Sequence, residues 1–329
     1  SVFLAIDSGT TNSRVWVLRE GKPVSRAQVQ AGVRDTAATG SSDALKRGIR
    51  QAIEMACEQA GEEIPELALA AGMITSELGL AELAHVSSPA GWRELADRVE
   101  LIRFPDLFDL DVCFVPGVRS GPWPCSVEEA PKVDLIRGEE TEIMGALDAL
   151  SMRGPLLYIH LGSHTKAIRV DEDNRIISSA TTLTGELLHG TRVNTVLSAA
   201  LGRSEATLDP DFLTIGSQWF AQSGLARTLF LIRVLERSGG YSPDQLDSIA
   251  LAAFVEGDID AFSRCGLLTP EITRVVLSGQ PGVQPAWKMR LEQQGHTPIA
   301  LDASRTETCF LAGLRRIVLN SPAYRDRNR

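Results

Sequence analysis

The chain has 329 residues and a formal net charge of −9 at pH 7; at roughly 100–200 residues per domain, that length predicts two domains. Its 43% hydrophobic and 23% charged residues exclude a disordered chain. With 33 Lys+Arg against 42 Asp+Glu and no basic run, nucleic acid is excluded as a partner, and the lack of a stretch of about 18 apolar residues excludes a membrane span.

The first elements read as a hairpin. Phe3–Ile6 is an apolar strand, Asp7–Arg14 a polar turn, and Val15–Leu18 a second strand. Pro23–Gln30 supplies a third. From Ser42 the period becomes helical, with Leu45, Ile49, Ala52, Ile53 and Ala56 on one face and Gly61 as the stop. Leu67–Gly72 reads as a buried strand, and Ile143, Ala146, Leu147 and Leu150 mark a helix linking two halves. The opening pattern then restarts. Leu156–Leu161 leads into Gly162-Ser163-His164-Thr165-Lys166 and a second strand, Ala167–Val170. Arg175–Ala180 follows as a strand. A helix begins at Gly185 with Leu187, Val193, Val196, Leu197 and Ala200 on its apolar side. Val275–Gly279, a helix near 286–294, a strand at Pro298–Leu301 and a helix from Ser304 to Leu319 complete the chain. Cys57, Cys113, Cys125, Cys265 and Cys309 are scattered and form no CxxC pair, which predicts reduced thiols in a cytoplasmic protein. The stretch Ser1–Asp7 lacks the basic region of a secretory signal.

Each half therefore reads as hairpin, strand, helix, strand, helix, and this internal repeat predicts two α/β halves facing one another across a cleft. The repeated turns suit phosphate. Gly9 lets backbone approach a ligand without a Cβ in the way, and Thr10 and Thr11 offer donors. Asp7, at the end of a buried strand, is an acceptor-only group whose natural partner is a hard cation such as Mg²⁺. A hairpin turn with polar decoration would explain Gly9–Asn12 alone; it does not explain the matching Gly162–Lys166 turn.

The blocks Ala5–Arg14, Ala31-Gly32-Val33, Ala71–Ser76, Pro116-Gly117-Val118, Arg137-Gly138-Glu139-Glu140-Thr141-Glu142, Gly162–Lys166 and Leu183-Thr184-Gly185-Glu186-Leu187 occur in that order. In them the chain resembles the 2-keto-3-deoxygalactonokinase family of the actin and hexokinase superfamily. Residues 2–190 carry most of the resemblance, with Leu277-Ser278-Gly279 and Phe310–Gly313 beyond. The resemblance implies an α/β fold of two related actin-like (ribonuclease H-like) domains, each a mixed central sheet with helices, flanking an interdomain cleft. Residues 1–134 would hold the first phosphate turn and much of the sugar site. Residues 135–329 would hold the linking helix, the second phosphate turn and the adenosine site. The reaction implied is ATP-dependent phosphorylation of the primary 6-hydroxyl of a 2-keto-3-deoxy sugar acid, foremost 2-keto-3-deoxygalactonate.

In that reading Asp7 orients Mg²⁺, and Gly9, Thr10, Thr11 and Asn12 hold ATP phosphates together with Gly162, Ser163, His164 and Thr165. Lys166 neutralises the migrating phosphoryl group, as a compact point charge does. Gly279 and Gly282 let adenine approach the backbone. Glu139, just after Gly138 at a helix start, is the base, since a helix N-terminus favours a carboxylate by about 0.3–1 kcal/mol; Glu140 is its rival, about 100° round the helix. The sugar-acid carboxylate needs a cation, for which Arg14, Arg34, Arg119 and Arg137 are candidates; Arg14 can equally form a salt bridge. Thr75, Ser76, Glu140, Thr184 and Glu186 complete the substrate-binding set. Two departures bear on specificity: Glu77–His85 lacks the family's usual aromatics, and Ala167 replaces the usual aromatic after Lys166. The alternatives are a related kinase of shifted specificity and a catalytically degenerate sugar-binding regulator. Trp219-Phe220 and Leu229–Val234 are either ordinary core or an apolar face for a homodimer.

Overall fold

The computed structural model describes residues 1–201 and 207–328. Its contacts group into two units: Ser1–Gly154 with Glu172–Ser178 and Thr306–Arg329, and Pro155–Asp171 with Ser179–Arg305.

In the first unit, apolar residues on both sides of the polar turn pair β1 (Val2–Ser8) antiparallel with β2 (Ser13–Arg19), setting Asp7 opposite Arg14. β3 (Lys22–Val29) joins the far edge of β2. After the short α1 (Val33–Thr39), α2 (Asp43–Ala60) buries the stripe read from the sequence and stops at Gly61 in the left-handed conformation. β4 (Leu67–Gly72) is buried throughout and runs parallel to β1, as strands covered on both faces do. Next come β5 (Val86–Ser87), α3 (Trp92–Ala96), β6 (Glu100–Phe104), β7 (Leu110–Phe114), β8 (Val118–Ser120), β9 (Asp134–Ile136) and α4 (Glu139–Ala149). The main sheet has the order β3-β2-β1-β4-β7-β6, and β5, β8 and β9 form a small separate sheet. Leu4, Ile6, Val15 and Val17 share a core with Ile49, Ile53, Val112 and Phe114.

The second unit repeats this plan. β10 (Leu156–Leu161) and β11 (Thr165–Val170) form the hairpin and β12 (Ile176–Thr182) the third strand. α5 (Thr184–Asn194) leads to α6 (Pro210–Ser238), which is broken by a kink at Gly224, and to the long α7 (Pro243–Arg264). β13 (Arg274–Gly279), α8 (Gln284–Gln293) and β14 (Thr297–Ala300) follow. The sheet order is β12-β11-β10-β13-β14. β10 is antiparallel to β11 and parallel to β13, as β1 is to β2 and β4. Leu157, Ile159 and Leu277 of the sheet pack with Val255 and Phe262 of α7 and Trp287 of α8.

α9 (Ala303–Leu319) and α10 (Pro322–Arg327) end the chain. A Cβ at Gly145 of α4 would lie 1.6 Å from the Cys309 carbonyl oxygen of α9, and one at Gly313 would lie 1.9 Å from that of Thr141. This backbone-to-backbone contact binds α4 to the first unit, so the units part after Gly154 rather than at residue 134.

Two readings of the second unit need correction. The helix at 185 ends at Asn194, and its buried residues are Leu188 and Thr191. Leu187 and Val196, assigned above to its apolar side, are 54% and 69% exposed, and Val193 is exposed too. Leu187 and Leu188 point about 100° apart, and tertiary packing chose the second. Trp219 packs against a small core that includes Ile232 and Ile249, whereas Phe230 and Val234 are exposed.

Because neither backbone at the α4–α9 crossing can yield, Gly313→Ala is expected to destabilise by about 1–3 kcal/mol or more. Calorimetric melting checks this; an unchanged Tm would rule out so close a crossing.

Candidate active site

The first phosphate turn is braced from outside the hairpin. The Gly9 N–H donates to the Asn12 carbonyl at 2.9 Å, and the Val33 and Arg34 amides donate to the Gly9 and Thr10 carbonyls at 3.2 and 2.9 Å. The Ser13 hydroxyl lies 2.7 Å from the Ala31 carbonyl oxygen. The Ala31–Arg34 block thus supports the turn through its backbone, and the exposed Arg34 side chain takes no part in this. The Thr10 and Thr11 amides have no backbone acceptor among the described residues, while the Asn12 amide donates to the Thr11 hydroxyl at 3.1 Å.

Asp7 receives a 2.8 Å hydrogen bond from Arg14, its cross-strand partner. Burial pushes the Asp7 carboxyl above its usual range; Arg14 pulls it back, and the Glu142 and Glu139 charges push it further up. Those glutamates arrive because α4 starts beside the end of β4. Gly138, at φ 107°, approaches Gly72 so closely that a Cβ on it would lie 3.3 Å from the Gly72 Cα. The ends of β1 and β4 and the start of α4 therefore meet, bringing Asp7, Glu139 and Glu142 into one negative cluster.

Glu140 is not the base in this geometry. It is fully buried, and its carboxylate accepts from the Gly138 N–H at 3.0 and 2.8 Å and from the Thr141 hydroxyl at 3.0 Å. Burial, then the Glu139 charge, pushes its carboxyl up to about 8. Thr75 and Ser76 are likewise buried, and their hydroxyls donate to the Gly72 and Met73 carbonyls at 3.0 and 2.7 Å. They shape the turn rather than greet a sugar. Arg137 is held by neutral partners. It donates to the Thr75 hydroxyl at 2.9 Å and the Leu83 carbonyl at 2.8 Å, with His85 Nδ1 at 3.4 Å. Burial draws the guanidinium below its usual value. Burial, with the Arg137 and Arg119 charges, lowers His85 to about 4, so it is neutral at pH 7. Arg119 itself donates to Ser87 at 2.6 Å.

In the second unit the start of α5 closes on the second turn. The Glu186 N–H donates to the Ser163 carbonyl at 2.9 Å, and a Cβ at Gly185 would lie 2.2 Å from the Gly162 carbonyl oxygen. Glu186 pairs with His164 at 3.2 Å. Lys166 lies opposite His160 in the hairpin. It alternates with the buried Thr165 and Ala167 and so faces the other side of the sheet. A cavity of about 130 Å³ opens on the Thr165 side, between Gly162, Thr184, Gly185, Val255, Gln280 and Trp287. Gly279 does not line it but ends β13 at φ 92°, and the Gln280 N–H donates to the Leu161 carbonyl at 2.8 Å. Gly282 lies outside the cavity and meets nothing where its Cβ would be.

The model of the 2-keto-3-deoxy-galactonokinase family matches residues 7–317. The chain belongs to that family. A 2-dehydro-3-deoxygalactonokinase of Escherichia coli is 26% identical over 207 residues, which are 63% of this chain and 62% of that protein. A Sinorhizobium meliloti protein described as a 2-dehydro-3-deoxygalactonokinase superposes with a TM-score of 0.73 at 24% identity, covering 96% of this chain and 97% of its own. Component A of the Acidaminococcus fermentans (R)-2-hydroxyglutaryl-CoA dehydratase superposes with a TM-score of 0.50 at 16% identity, covering 100% and 99%. The last two are likenesses of fold, the actin-like α/β fold that the family resemblance implied.

For a 2-keto-3-deoxy-galactonokinase family member, the sequence reading missed groups that the structure puts beside the second turn. The cavity residues Gln280 and Trp287 are two. A third is Asp258 of α7, which accepts from the Thr182 and Thr184 hydroxyls at 2.7 and 2.5 Å. It had a signal: Asp258 continues the buried stripe of Leu251, Phe254, Val255 and Phe262, where a carboxylate is out of place.

Glu140 also makes stability depend on pH. Its carboxyl rises from an ordinary 4.5 to about 8 on folding, so the folded state holds the proton more tightly. The stabilisation from protonated Glu140 is complete below about pH 4.5 and is lost as pH rises toward 8. Glu140→Gln keeps an acceptor for Gly138 without the charge. Wild type is therefore expected to lose stability relative to this variant across that window in urea unfolding; parallel pH trends would contradict the burial of this carboxyl.

Proposed function

We propose that the chain phosphorylates the primary 6-hydroxyl of 2-keto-3-deoxygalactonate with ATP and Mg²⁺. The convergence of Asp7, Gly72 and Gly138–Glu139 beside a phosphate-type turn carries this reading. It sets a carboxylate at a helix start next to a second carboxylate, as transfer from a metal-bound nucleotide to a hydroxyl requires. Glu139 is the base that accepts the hydroxyl proton. Asp7 fits a hydrated Mg²⁺. Among the described residues no cluster of three or more acidic, His or Cys side chains forms a cage, but Mg²⁺ typically takes one or two carboxylates with waters and phosphate. Bound there, the ion would supply charge neutralisation for the transferring group. The turn of the second unit and the cavity beside it suit the nucleotide: Gly162–Thr165 flank phosphate, and the cavity wall combines Val255 and Trp287 with the polar Thr184 and Gln280. Lys166 lies in the strand that leaves this turn.

The sugar-acid carboxylate is assigned to Arg137. Arg14 already has Asp7, whereas the ligands of Arg137 are neutral. No carboxylate is hydrogen-bonded to this half-buried guanidinium, on which Glu140, Glu77 and Glu82 act only through space, so an anionic substrate would add the charge-assisted pair that its neutral ligands lack.

Purified protein, Mg²⁺ and ATP, assayed by coupled ADP release against a panel of 2-keto-3-deoxy sugar acids and other sugar acids, tests the reading. Turnover is expected to favour 2-keto-3-deoxygalactonate; none with any panel member would overturn it. Glu139→Gln should keep nucleotide binding and lose roughly 10²–10⁴-fold in kcat. Arg137→Met should raise the KM for the sugar acid at least about tenfold while leaving that for ATP in place; equal effects on both would move the carboxylate site elsewhere.

A further inference from the structure

Asp258 is 2% exposed, and its Oδ1 collects the Thr182 hydroxyl at 2.7 Å and the Thr184 hydroxyl at 2.5 Å. The two threonine oxygens are 3.1 Å apart. Oδ2 is buried without a hydrogen-bond partner; burial pushes the carboxyl above its usual range, and the Thr184, Thr182 and Thr165 hydroxyls pull it back. Among the described residues no salt bridge involves Asp258. A carboxylate so placed costs stability unless it has work to do.

Its neighbours indicate that work. Thr165 ends the second phosphate turn and Thr184 opens α5, and both line the 130 Å³ cavity. α7 thus reaches, through one carboxylate, the hairpin strand β11, the end of β12 and the start of α5. A threonine rotor in an open pocket can point its hydrogen either way. With its hydrogen committed to Asp258, Thr184 shows the cavity an acceptor oxygen only. Such a wall suits a donor, for example a ribose hydroxyl or a metal-bound water, and resists a bare phosphate oxygen.

We propose that Asp258 is a positioning residue for the nucleotide: it fixes the threonine hydroxyls so that the wall beside the second turn is an acceptor surface for a donor group of a bound nucleoside phosphate. This rests on the nucleotide use proposed above. Asp258 touches no ligand itself; it acts through Thr184 and Thr165.

The test measures ADP binding with Mg²⁺ by calorimetry, and KM for ATP and for the sugar acid, in wild type, Asp258→Asn, Thr184→Val and Thr182→Val. Asn at 258 puts an amide donor among the hydroxyls and frees them to turn. We expect ADP affinity to fall roughly tenfold in Asp258→Asn, in keeping with the loss of a charge-assisted hydrogen bond. The ATP KM should rise with it, and the sugar-acid KM should stay at the wild-type value. A purely structural role would lower Tm and move both KM values together. If Asp258→Asn does not fold, the threonine variants decide, and each should weaken ADP alone. Wild-type affinity in the folded variants overturns the positioning role. If wild type itself binds no nucleotide, the proposed kinase function fails instead, and this inference with it.

Discussion

At the ends of β1 and β10, the neighbouring strand has no room for a side chain. A Cβ at Gly72 would lie 2.8 Å from the Ser8 carbonyl oxygen, and one at Gly279 would lie 2.1 Å from that of Leu161. Both glycines have positive φ, 95° and 92°, which an L side chain rarely adopts. They occupy matching places in the repeat: Ser8 pairs with Gly72 and Leu161 with Gly279 at the ends of parallel strands. The chain can therefore leave the sheet sharply beside each hairpin turn. In the first unit the space admits Gly138 and the carboxylates of α4. In the second it admits Gln280 and the cavity wall. One backbone constraint, used twice, places different chemistry in each half.

The carboxylates of the first unit are arranged against stability. Glu139 and Glu142 raise the Asp7 carboxyl, and Glu139 helps raise Glu140. Unfolding would separate these charges, so the repulsion is borne by the folded state. Groups perturbed by burial and like charge are common where chemistry or cations are handled. The two neighbouring glutamates divide the work. Glu140 secures the Gly138 N–H and with it the turn at φ 107°. Glu139 is left at the helix start, 8% exposed. The order Gly-Glu-Glu-Thr thus sets a supporting carboxylate beside a second one, and the 100° helical step keeps the two apart.

The repeat, both hairpins, α2 and the strands at 67–72 and 275–279 were legible in the sequence, because period and turn chemistry are local. The region from 86 to 136 was not: β5, β8 and β9 are two or three residues long, too short for a period to register. The pair α6 and α7 escaped for the opposite reason. Both are apolar around much of their circumference, so neither shows one clean face. At the site, Asp7 and Glu139 could be read because they sit in short motifs. The partners of Arg137 could not, since Thr75, Leu83 and His85 reach it across more than fifty intervening residues. Asp258 belongs to the same class: its meaning lies in threonines that meet it only in three dimensions.

Net charge sharpens the choice among cations. A protein of charge −9 repels anions at long range, so an anionic substrate must be held by cations that are not already neutralised. Arg14 is bound to Asp7 at 2.8 Å, and its charge first pulls back a carboxyl that burial pushes above its usual range. Arg34 lies on an exposed first turn and contributes its amide. Arg137 differs from both. Its hydrogen bonds go to a hydroxyl, a carbonyl and a neutral imidazole, and the Glu140, Glu77 and Glu82 charges reach it only through space. The stretch 77–85, where the family's aromatics are missing, supplies two of those partners. Its departure from the family pattern therefore acts on the orientation of the Arg137 guanidinium.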